Sequence, residues 1–73
     1  MASLPVVSGK EVVRVLESFD WEIARQRGSH IIMTKDGEYA SLSVPDHKEI
    51  AKGTLRSLLR AANLTIDEFL AAL

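Results

Sequence analysis

Few side chains in this sequence can do chemistry, and they cluster. His30 and His47 are the only two histidines, and imidazole is the side chain that exchanges protons near neutral pH. Arg25, Arg27 and Ser29 stand just ahead of His30. Lys52, Arg56 and Arg60 recur every four residues further on. Such cations suit phosphate. The chain has no cysteine, which removes disulfides, thiolate metal sites and thiol nucleophiles. Its histidines lack a His-x-x-x-His spacing, so no metal site is indicated. Gly9, Gly28, Gly37 and Gly53 are isolated, not a phosphate-binding loop. No Ser/His/Asp arrangement emerges. Trp21, Phe19 and Phe69 fall on apolar faces, which leaves Tyr39 as the one aromatic free to stack on a base. That argues against a single-strand stacking platform.

The elements that must position these residues can be read in turn. Ser8 with Glu11 three residues later is a capping box, and Val7 with Val12 occupies the staple positions. Val12, Val15, Leu16 and Phe19 follow helix spacing, so a helix is expected over about 9–19, ended by Asp20. Trp21 to Gln26 alternates as a first strand, with Trp21, Ile23 and Arg25 on one side. Gly28-Ser29 is a short turn, His30 to Lys35 a second strand, and Glu38 to Val44 a third, closed by Pro45.

Asp36-Gly37 is the strongest hairpin signal in the chain. A two-residue loop there pairs Lys35 with Glu38, Met33 with Ala40 and His30 with Ser43. One face then carries Ile31, Met33, Ala40, Leu42 and Val44, joined by Trp21 and Ile23, as the core. The other carries His30 among the polar residues Gln26, Ser41 and Ser43. A sheet covered on one side and open on the other follows. Beyond it, Leu55, Leu58, Leu59 and Ala62 mark a second helix with Thr54 as N-cap and Asn63 as stop. Thr65 with Glu68 caps a short third one. The fold class is α+β: helix, three-stranded antiparallel sheet, helix, and a short C-terminal helix.

Seventy-three residues make one domain spanning 1–73, too short for a doubly wound fold, a barrel or a two-domain cleft. Hydrophobic residues are 47% of the chain, enough for one core. No apolar run approaches a membrane span and no signal peptide is visible, so a reducing cytoplasm is the expected location. The formal charge is −1, but it is unevenly spread. Residues 1–23 sum to −2, residues 24–60 to +3 and the remainder to −2, which puts a basic segment mid-chain.

Taken in order, these motifs resemble the HicA toxin family. The resemblance rests on Ser8-Gly9-Lys10-Glu11-Val12, Trp21-x-x-x-Arg25, Gly28-Ser29-His30 and Val44-Pro45-Asp46-His47. Lys52-Gly53-Thr54-Leu55-Arg56-Ser57-Leu58-Leu59-Arg60 and Leu64-Thr65-Ile66-Asp67-Glu68-Phe69 complete it. It implies a double-stranded-RNA-binding-domain-like fold and an endoribonuclease that cleaves messenger RNA. It also implies a HicB-type antitoxin partner, no metal or organic cofactor, and an essential histidine at His30. Arg27 and Lys52 lead the candidates for phosphate contact, followed by Arg25, Arg56 and Ser29. His47 is the candidate second acid or base. With a pI near 6.1, this chain is less basic than many members, so RNA contact must rest on the mid-chain segment. Two other classes fit the same residues: a non-catalytic RNA-binding module, and a pure partner-binding protein.

Overall fold

The computed structural model describes residues 3–73. Helix α1 (Gly9–Ser18) leads into strands β1 (Glu22–Arg27), β2 (His30–Thr34) and β3 (Leu42–Pro45). Helices α2 (Lys52–Ala61) and α3 (Ile66–Ala72) follow. The strands form one antiparallel sheet in the order β1-β2-β3. Both expected capping boxes form, Ser8 with Glu11 and Thr65 with Glu68. The Ser8 backbone N–H, then its hydroxyl, hold the Glu11 carboxyl below its ordinary value. That contribution is present above the unfolded carboxyl's pKa and is lost as pH falls through the lowered one.

The buried residues lie where helix and strand periodicity meet. Leu16 and Val12 of α1, Ile31 and Met33 of β2, Leu42 and Val44 of β3, and Leu55 of α2 share one core, with Phe69 of α3 fully enclosed. Trp21 is buried at the exit of α1. Its backbone N–H donates to the Leu16 carbonyl at 3.1 Å, and Asp20 N–H donates to Glu17 at 3.1 Å. This doubly bonded exit forces Asp20 to a φ of +73°, a conformation glycine adopts without strain. Asp20→Gly is therefore expected to stabilise the fold by about 0.5–1 kcal/mol, read as a higher urea midpoint at unchanged slope. At the end of α2 the same geometry recurs, with Asn63 at φ +61° as the expected stop.

Four expectations give way. First, Asp36-Gly37 does not close the β2–β3 hairpin in the expected register. Glu38 N–H does donate to the Lys35 carbonyl at 3.0 Å, but only Gly37 of the two central residues has a positive φ, +86°. A turn of that hand splays strands instead of continuing their twist. The chain loops out, and Met33 pairs with Leu42, Ile31 with Val44 and His30 with Pro45. The slip is two residues, so every side chain keeps its face. Ala40 and Ser41 leave the sheet and are exposed.

Second, β1 carries no core side chain: all six of its residues are exposed, Ile23 at 50%. Third, β1 is broken in phase. Ile23 opposes Met33, but Arg25 opposes Ile32, with the shift falling at Ala24. Gln26 thereby moves opposite Ile31 and away from the face of His30. Fourth, α2 begins at Lys52 with Ala51 as N-cap and no capping side chain, so Thr54 lies inside the helix.

Candidate functional site

Two backbone devices set out the site. The first is the β1–β2 turn. Gly28 has a φ of +59°, and the two-residue loop Gly28-Ser29 places Arg27 directly opposite His30. A positive φ at the first central residue alone is the hairpin geometry that matches strand twist, and a side chain there would be strained. The second device is the phase break at Ala24. Regular alternation would put Arg25 on the helix-covered side with Trp21. The extra residue re-aims it, as bulges do. Arg25, Arg27, Ile32, His30 and Ser43 therefore share the face that the helices leave uncovered. His30, Arg25 and Arg27 are all exposed.

The turn is tied down from β3. Asp46 N–H donates to the Ser29 carbonyl at 2.6 Å. Gln26 Nε2 donates to the Gly28 carbonyl at 3.1 Å and reaches Asp46 Oδ2 at 3.4 Å. Next in the chain, the His47 carbonyl accepts from Gly9 N–H at 2.9 Å. The turn, the Pro45–His47 corner and the first residue of α1 are thus one hydrogen-bonded unit. His47 is exposed and sits on the corner that abuts the turn. The sequence sets Gln26 beside His30 on the open face and shows Asp46 and Gly9 only within motifs; the structure joins all three through the turn and the corner instead.

The remaining candidates are carried elsewhere. Lys52 and Arg56 lie on α2, whose Leu55, Leu58 and Leu59 are buried against the opposite side of the sheet. Both side chains are exposed, but they do not join the face of His30. Arg56 lines a groove with Arg60 between α2 and α3. Tyr39 is fully exposed on the 35–41 loop, at the far end of β2 from His30. Near that end lies a cleft of about 480 Å³ lined by Glu17, Asp20, Trp21, Glu22, Lys35 and Asp36. Acids outnumber bases there four to one. Among the described residues no group of three or more His, Cys, Asp or Glu is placed to hold a metal ion. Among the described residues no helix is long and apolar enough to cross a membrane.

The family model described as the HicA toxin of bacterial toxin–antitoxin systems matches residues 9–64. The chain belongs to the HicA toxin family. The match runs from the glycine that seats α1 to the leucine that closes the exit of α2, so it takes in the whole turn-and-corner unit. HicA membership gives this chain a toxin role and implies an antitoxin partner. No curated protein and no solved structure matched the chain. The HicA match ends two residues before α3, which begins at Ile66.

Proposed function

We propose that this HicA chain is a metal-independent endoribonuclease that cleaves messenger RNA and is neutralised by a HicB-type antitoxin. The observation that supports this most is that His30, Arg25 and Arg27 share, exposed, the one face of the sheet that the helices leave uncovered. RNA supplies its own nucleophile, the 2′-hydroxyl beside the scissile phosphate. His30 takes the 2′-hydroxyl proton, or delivers a proton to the departing 5′-oxygen. The 2′-oxygen bonds to phosphorus and the bond to the 5′-oxygen breaks, leaving a 2′,3′-cyclic phosphate and a 5′-hydroxyl. His47 is the candidate for the complementary proton transfer.

Arg27, with Arg25 behind it, holds the non-bridging oxygens as charge builds on them. The Ser29 hydroxyl, in the turn, is a further donor to the backbone. Lys52 and Arg56 on α2 would meet the polynucleotide beyond the β3 edge. Positioned proton transfer typically gives ~10²–10⁴-fold, and the paired arginines add electrostatic support.

The test is an RNA oligonucleotide and its DNA counterpart, each incubated with the purified chain in excess chelator. RNA should yield cyclic-phosphate ends while DNA stays intact, because DNA lacks the 2′-hydroxyl. Retention of RNA without products would instead identify a non-catalytic binding module. No RNA affinity at low salt would identify a purely partner-binding protein. In cells, expression of the chain alone should arrest growth and co-expression of the antitoxin should relieve it.

A further inference from the structure

Apart from Arg56, the groove between α2 and α3 has no part in the chemistry above. It encloses about 370 Å³ and is lined by Arg56, Leu59, Arg60, Asn63, Leu64, Thr65 and Ile66. Arg56 and Arg60 stand one helical turn apart along it, and the half-buried Leu64 and Ile66 supply apolar surface. None of its lining residues is acidic. A cation in the last turn of α2 is explained by the helix dipole, which accounts for Arg60. It does not account for Arg56 a turn earlier, nor for a cleft at this junction. The doubly bonded exit of α2 shapes the cleft: Leu64 N–H donates to the Leu59 carbonyl at 2.8 Å and Asn63 N–H to Arg60 at 3.1 Å. The volume suits a few side chains, and there is no aromatic residue to stack a base.

We infer that this groove docks a segment of a partner protein that presents a carboxylate beside apolar side chains. The carboxylate meets Arg56 and Arg60, and the apolar side chains lie on Leu64 and Ile66. Charge complementarity argues for an acidic partner, and the apolar floor argues for protein over RNA. One wall, Thr65 and Ile66, lies beyond the residues matched by the family model. Arg56 is shared with the proposed RNA path and Arg60 is not, so Arg60 carries the test.

The probe is a synthetic 14-residue helical peptide with Leu and Glu along one face and Ala elsewhere, titrated into the full chain and followed by backbone amide NMR. Saturable shifts confined to 56–66, absent with a Lys-for-Glu peptide, support the inference when Arg60→Glu weakens binding at least tenfold. Arg60→Gln should weaken it less. Both variants should retain wild-type amide spectra elsewhere, because Arg60 is exposed. Shifts that do not saturate, or equal affinity in Arg60→Glu, overturn it. So does a short RNA oligonucleotide that moves these same amides in preference to the peptide. The readout is binding, so it stands or falls separately from nuclease activity.

Discussion

His30→Ala is expected to lower RNA cleavage by about 10²–10⁴-fold while leaving the unfolding midpoint unchanged. The side chain is exposed and no core contact depends on it, so its loss removes a proton carrier and little else. RNA retention by the variant should stay close to wild type, since Arg25 and Arg27 remain. Arg27→Ala should lower cleavage as well, but through a loss of phosphate contact that also shows in binding. It should weaken retention across all sequences and reduce the salt dependence by about one phosphate's worth of counterion release. Single-turnover cleavage in chelator, with retention measured over a salt series, separates the two effects. A His30→Ala chain that cuts at the wild-type rate would remove the proposed mechanism.

The largest stability effect is expected at Gly9→Ala. Alanine is ordinarily the better helix former, by roughly 0.5–1 kcal/mol. Here a Cβ would stand 2.0 Å from the Pro45 carbonyl oxygen, 3.0 Å from its carbon and 3.1 Å from Asp46 Cα. All three are backbone atoms and cannot swing aside. Relief requires α1 to lift from the corner, which strains the Gly9 N–H bond to His47 as well. A loss of about 2–4 kcal/mol is expected, a large share of the stability a domain this small possesses. Gly53→Ala is the control, because nothing lies within 4 Å of its added Cβ, and it should be neutral or stabilising. Urea unfolding of both variants reads the contrast, and equal midpoints would contradict the packing described. Because Pro45 opposes His30 across the sheet, Gly9→Ala should also depress cleavage at temperatures where it is still folded.

What the sequence made legible was the local and periodic part. Ser8 with Glu11 and Thr65 with Glu68 announce two helix starts because their hydrogen bonds close within three residues. Strand alternation placed Ile31 and Met33 inward and His30 outward, and a two-residue slip cannot disturb that assignment. The slip itself was hidden, since Asp36-Gly37 fits more than one turn type and only the backbone angle at Asp36 decides among them. Ala24 was hidden for a different reason. Nothing in Ile23-Ala24-Arg25 marks an unpaired residue, yet it determines which face Arg25 occupies. The start of α2 was misplaced because Thr54 is a good capping residue and Ala51 is not, and packing of Leu55, Leu58 and Leu59 overrode that preference. Asp46 and Gln26 joined the site through contacts about twenty positions apart, which no local pattern encodes.

The acid-lined cleft by Glu22 and the arginines near Arg27 sit at opposite ends of one six-residue strand, about 17 Å apart at ~3.3 Å per residue. A molecule with almost no net charge therefore carries a permanent electrical axis along its sheet. Near a polyanion in dilute salt it should swing round so that the hairpin tip leads, and this bias should fade once the Debye length shrinks below the strand's length, at roughly 0.03 M and above. Orientation, rather than bulk attraction, is how a mildly acidic chain of this size can reach a backbone of phosphates.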